Sequence, residues 1–130
     1  MEYTPEIITR LNKNEIFVFG SNTEGRHGKG GALVARKYFG AIYGQSKGLQ
    51  GQSYAIITKD LSKGMRSVPL DFIHEQVREF VHFANNHKDL KFYVCKIGCS
   101  LAGYKVEQIA KIFQSFWLPE NIVLPKEFYI

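Results

Sequence analysis

Four apolar runs alternate with stretches of helical periodicity, and this alternation constrains the fold more than any other feature of the chain. The runs cover residues 16–19, 53–58, 91–98 and 121–125 and end at Gly20, Lys59, Gly98 and Pro125. Short continuous runs rich in β-branched and aromatic residues fit strands buried on both faces. Between them, Ala32, Ala35, Tyr38 and Phe39 predict a helix over 31–39. Ile73, Val77, Phe80, Val81 and Ala84 share one helical face and predict the clearest helix, over 72–86, with Asp71 or Ser67 as its cap. Val106, Ile109, Ala110, Phe113 and Phe116 predict another over 106–116. Thr4-Pro5-Glu6 reads as an N-cap, a proline at the first helical position and an acidic first turn; it predicts a short helix over 5–11, with a strand as the alternative. Residues 40–52 read as loop and 59–71 as an irregular segment. Strand–helix alternation favours a three-layer α/β/α domain, with a mostly parallel sheet or a mixed one between two helical layers.

At 130 residues the chain fits a single domain over 1–130, and 45% apolar residues are enough to build a core. No apolar run approaches the roughly 18 residues of a membrane-spanning helix, and the N-terminus lacks the pattern of a secretory signal, so the expected location is cytoplasmic. Cys95 and Cys99 lack CxxC spacing and a companion His/Cys cluster, which argues against a zinc site; no metal and no cofactor are expected. Cys95 reads as a buried thiol, whereas Cys99, in a glycine loop, is placed to line a site. The net charge of +5 suits an anionic partner, whether nucleotide, phosphorylated metabolite or nucleic acid.

Ligands of parallel α/β sheets bind at the carboxyl ends of the strands. This points to segments 20–31, 58–66 and 98–104. The first, "GSNTEGRHGKGG", places Gly28, Gly30 and Gly31 just before a helix; the third, "GCSLAGYKVEQ", places Gly98 and Gly103 before another. Phosphate oxygens need converging N–H donors, which glycine leaves accessible and an open helix N-terminus supplies. Two such loops at neighbouring strand ends could grip a diphosphate. Tight turns and close helix–sheet packing are the competing use of the same glycines. The spacing fits neither the nucleoside triphosphatase P-loop nor the dinucleotide-binding GxGxxG with a later acid, since residues 42–59 contain no Asp or Glu.

Lys59, at a strand end, reads equally as a phosphate contact or a solvated lysine. Arg26 could grip phosphate but reads first as a surface side chain. His74, His82 and His87 read as surface or partly packed residues, Lys96 as a strand residue that faces a sheet end or pairs with a carboxylate, and Phe80, Phe83, Phe92, Phe113, Phe116 and Trp117 as core.

The strand followed by Phe19-Gly20-Ser21-Asn22, the glycine run Gly28, Gly30 and Gly31, the strand "SYAIITK", and "IGCSLAGY" before a helix together resemble the macro domain, a family that recognises ADP-ribose. The resemblance covers about residues 15–125 and looks most like compact, uncharacterised bacterial or phage members. It implies that Asn22 hydrogen-bonds the distal ribose and that Gly28, Gly30 and Gly31 admit the ligand and offer N–H groups; Gly20 and Ser21 beside Asn22, and Thr58 and Lys59 at the second strand end, are further candidate ligand-binding residues. It further implies that Gly98, Cys99, Ser100, Leu101, Ala102 and Gly103 wrap the diphosphate, with Tyr104 packed near the ribose. The sequence departs from the family in two places. No Asp precedes Asp60 to read adenine, with only Glu6 in the right region, and Ala32, Leu33 and Val34 stand where hydrolytic members carry an acid. Asn22 and His27 are the catalytic candidates should ADP-ribosyl or phosphate-ester hydrolysis occur. The implied function is binding of ADP-ribose or a related nucleotide diphosphate; a basic nucleic-acid-binding or protein-interaction module is the alternative.

Overall fold

A computed structural model describes residues 1–62, 64, 66–99 and 102–129. The strands are β1 (Glu15–Asn22), β2 (Gly48–Gln50), β3 (Ser53–Asp60), β4 (Arg66–Ser67), β5 (Lys91–Val94) and β6 (Ile122–Val123). The helices are α1 (Gly30–Tyr38), α2 (Leu70–Asn85) and α3 (Val106–Gln114), followed by a 3-10 turn, Lys126–Phe128. The sheet runs β2-β3-β1-β5-β6, with β4 beside β3. β1 is parallel to β3 and β5, and β5 to β6, while β2 and β4 are antiparallel to β3. The sheet is therefore mixed, with a parallel centre.

Alternation along the strands builds two cores. Ile16 and Val18 of β1 face α2 and α3, packing with Phe80, Ile109 and Phe113, all fully buried. Each such side chain contributes roughly 1.5–3 kcal/mol by leaving water. Phe17 and Phe19 face the opposite way, onto Ala32 and Ala35 of α1. Helices thus cover both sheet faces.

The expected helix over 5–11 is not formed. Thr4 donates its N–H to the Leu124 carbonyl at 2.9 Å and its hydroxyl to that of Val123 at 3.0 Å. Glu2 meets Lys91 and the Tyr93 hydroxyl. These ties lay the segment alongside β6 and β5, where Ile8 and Leu11 join the α1-side core and Ile7 is left 83% exposed. Contact with the sheet outweighs a helical propensity worth tenths of a kcal/mol per residue.

β2 and β4 fall in segments expected to be loop or irregular. They pair with β3 at Ser53–Ala55 and Lys59–Asp60, leaving Ile57 between them. Gln76 of α2 fills that gap: its Oε1 accepts the Ile57 N–H at 2.7 Å and its Nε2 donates to the Ile57 carbonyl at 2.8 Å. A carboxamide thus completes the pairing that an edge strand would supply. The N-cap of α2 is Pro69, with no side-chain cap from either Ser67 or Asp71. Trp117, expected in the core, is 97% exposed, while Phe116 is partly buried against the α2–α3 core.

Candidate functional site

Parallel pairing sets the carboxyl ends of β1 and β3 side by side, with Asn22 opposite Lys59 across an irregularity in register. Beyond β5, the Cys95 N–H donates to the Val18 carbonyl at 3.1 Å, so this chain rises along the other flank of β1. The three chains converge at Gly20, where a Cβ would lie 3.1 Å from Thr58 Oγ1 and 3.7 Å from the Gly98 nitrogen. The Thr58 hydroxyl donates to the Ser21 carbonyl at 3.2 Å and ties two strand ends together. Gly98 turns the chain at a φ of 75°, a left-handed conformation that side chains disfavour, and a Cβ there would approach Ile109 Cδ1 to 3.0 Å. Glycine is required by the backbone at Gly98, and at Gly20 it leaves room for the Thr58 side chain.

Over this junction lies a cavity of about 330 Å³, bounded on its far side by Gly28 and by Gly30, Gly31 and Ala32 at the start of α1. No side chain among the described residues caps α1, and its first turn carries no acid. The opening N–H groups of a helix carry about half a positive elementary charge. Arg26, Lys29, Lys59 and Lys96 also line the cavity, and no Asp or Glu does so among the described residues. Arg26 is paired with Glu24 at 3.0 Å and Lys96 with Glu127 at 3.3 Å. Lys29 and Lys59 have no ion-pair partner among the described residues. The cavity is thus electropositive from both backbone and side chains. Gly28 differs from the other glycines: its φ is not left-handed, and a Cβ there would meet open space.

Of the residues marked in the sequence, Gly20, Ser21, Asn22, Gly28, Gly30, Gly31, Thr58, Lys59, Gly98 and Ala102 line this one cavity. Ser100 and Leu101 lie outside the described residues. Cys99, Gly103, Tyr104 and His27 are not among the lining residues. Asn22 uses its carboxamide within its own loop: Oδ1 accepts the N–H groups of Glu24 and Arg26 at 3.2 and 2.9 Å, and Nδ2 donates to the Arg26 carbonyl at 2.8 Å. Tyr104 closes the second loop by donating its N–H to the Gly98 carbonyl at 2.9 Å, and its hydroxyl donates to the Val68 carbonyl. Ser67 holds the same loop through the Ala102 carbonyl.

The first turn of α3 carries Glu107, and Gln108 accepts the Lys105 N–H at 2.9 Å. The helix end facing the cavity is therefore that of α1. His27 is wholly buried, its ring edge-on to Phe19 at 5.3 Å and its Nε2 3.5 Å from Ser21 Oγ. Burial holds its pKa below the usual 6.5, with the Arg36 charge acting the same way. The Gln45 backbone acts the other way, and Nδ1 has no hydrogen-bond partner among the described residues.

Both cysteines are partly exposed, and it is Cys95, expected as a buried thiol, that lines the cavity, whereas the Cys99 thiol, expected to line a site, donates to the Ile97 carbonyl. Burial pushes the Cys95 thiol up to about 12 and the Cys99 thiol up to about 11. Lys29, Cys95 and Lys96 went unmarked as site residues. β5 ends at Val94 rather than near Gly98, and this earlier end brings Cys95 and Lys96 to the cavity; the apolar residues on either side of Lys96, Cys95 and Ile97, concealed it. Among the described residues no cluster of three or more His, Cys, Asp or Glu side chains could hold a metal.

No family model matches the chain, and no curated protein matches it. Solved structures do. A protein of unknown function from Bacteroides thetaiotaomicron superposes with a TM-score of 0.61 at 22% identity, covering 85% of each chain. A second structure of a protein from the same organism gives 0.59 at 22% identity, covering 86% of this chain and 87% of that one. A macrodomain protein from Streptomyces coelicolor gives 0.59 at 13% identity, covering 90% of each. At these identities the likeness is one of fold, and the fold is macrodomain-like.

Proposed function

We propose that the protein binds ADP-ribose or a related nucleotide diphosphate in the cavity over the β1, β3 and β5 ends. The observation that carries this reading is the uncapped start of α1, which lies on a cavity lined by four cationic side chains and by no carboxylate among the described residues. A diphosphate matches both donor geometry and charge. In this reading Gly28, Gly30, Gly31 and Ala32 meet the phosphates, Lys29 and Lys59 neutralise them, and Gly20, Thr58, Gly98 and Ala102 form the floor. The likeness to a macrodomain fold agrees with this class of ligand.

Asn22 acts in this reading by shaping the loop that presents Arg26 rather than by gripping ribose directly. Tyr104 and Gly103 act by setting the second loop. Hydrolysis is not part of the proposal, because no lining carboxylate among the described residues is placed to activate water and His27 is walled off beneath the site. The test is a thermal melt with increasing ADP-ribose. Ligand at about 100 times its dissociation constant adds roughly 2.7 kcal/mol to stability. No change in melting temperature at millimolar ADP-ribose refutes the proposal.

A further inference from the structure

Residues 25–59 contain six lysines and arginines and no Asp or Glu, whereas the rest of the chain carries 11 cations and 12 carboxylates. The whole positive balance therefore resides in one stretch, which runs through one wall of the cavity, α1, the loop that returns to β2, and on along β3 to Lys59. The return loop exposes Tyr43 at 61%, and the end of α1 exposes Tyr38 at 48%. Each ring has a cation over it, Arg36 at 5.8 Å from the Tyr43 centroid and Lys37 at 5.9 Å from that of Tyr38. This surface is continuous with the cavity rim. The Gly44 N–H donates to the Gly25 carbonyl at 2.9 Å, next to Arg26, and α1 runs from the cavity at Gly30 to Tyr38.

We propose that this tyrosine-and-cation surface, Arg26 through Arg36 and Tyr43 to Lys37 and Tyr38, binds single-stranded nucleic acid beside the cavity. Solvent-facing rings flanked by cations suit unpaired bases and their phosphates. A duplex hides its base faces, so exposed rings favour an unpaired strand. Addition of a protein strand to the β2 edge is blocked, because Gln45 donates its side-chain amide to the carbonyls of Lys47 and Leu49 at 3.2 and 3.0 Å. The proposal rests on the cavity reading only for what the strand delivers there, a nucleotide-derived group.

The test is fluorescence anisotropy with a labelled oligothymidine and with the same strand annealed to oligodeoxyadenosine, over about 50 to 200 mM salt. The single strand binds more tightly than the duplex. Its log affinity falls against log salt with a slope of about −2, as expected for some three phosphate contacts at Arg26, Arg36 and Lys37. Tyr43→Ala weakens the single strand by about fivefold or more and leaves the thermal response to ADP-ribose intact. Equal or tighter duplex binding, or an unchanged affinity in Tyr43→Ala, overturns the proposal. Binding of the strand by a protein that shows no thermal response to ADP-ribose sustains this surface and overturns only the ligand assigned to the cavity.

Discussion

Gly28 separates the needs of a ligand from the needs of the fold. Its backbone is not left-handed, and an added Cβ meets nothing within 4 Å, so the fold makes no steric demand for glycine there. Gly28→Val therefore changes stability by no more than about 0.5 kcal/mol, or raises it by up to about 1 kcal/mol through a stiffer unfolded chain. Unfolding entropy is roughly 2.1 cal/mol/K per residue. For 130 residues, 1 kcal/mol then corresponds to about 4 °C, so the variant melts between about 2 °C below and 4 °C above the parent. ADP-ribose at about 100 times its dissociation constant raises the melting temperature of the parent by about 10 °C. The valine, placed on the wall of a cavity of about 330 Å³, removes most of that rise. Differential scanning fluorimetry with and without ligand reads both numbers. A full ligand response in the variant means that the site does not include Gly28. A fall of 8 °C or more without ligand, about twice the 1 kcal/mol equivalent, means that the open space is illusory and the glycine is structural.

Three further outcomes follow from buried groups. Gln76→Ala leaves the Ile57 N–H and carbonyl unpaired at the sheet edge; urea unfolding should show a loss of about 2–4 kcal/mol, and a loss under about 1 kcal/mol would sink the edge-completion account. His27 has a folded pKa held below 6.5 by burial, so the unfolded chain takes up the proton first. Its contribution to stability is full above about pH 6.5 and is lost as pH falls through the lowered folded value; His27→Gln flattens the urea midpoint against pH in that window, and an unchanged profile would exclude His27 as the source. Cys95 and Cys99, raised to about 12 and 11, stay protonated at neutral pH. Iodoacetamide, followed by mass spectrometry, should alkylate both far more slowly in the native protein than in urea; equal rates would refute the raised thiol pKa values.

The features legible in the sequence were those that local pattern determines. The α2 stripe of Ile73, Val77, Phe80, Val81 and Ala84 needs only helical geometry to be seen, and all five residues are buried. Likewise β1 and β3 announced themselves as apolar runs, and the carboxyl-end rule carried the glycine loops to one place. What the sequence hid depends on distant partners. Thr4-Pro5 has the composition of a helix start, but the carbonyls that claim Thr4 are those of Val123 and Leu124, far along the chain. β2 and β4 are three and two residues long, too short to show any period. Asn22 was recognised as important, yet no sequence pattern could show that Arg26, four residues on, would occupy its amide. Trp117 shares the aromatic character that usually marks core residues, but it follows the last turn of α3 and falls beyond the packed face.

The carboxamide of Gln76 also has a kinetic meaning. Ile57 is shielded from foreign strands only while α2 stays docked, because neither β2 nor β4 reaches it. A partial opening that lifts α2 would bare the β3 edge and the apolar face beneath it together. Conditions that loosen this helix without melting the sheet, such as mild heat, should therefore turn the protein toward strand-mediated aggregation before global unfolding is reached.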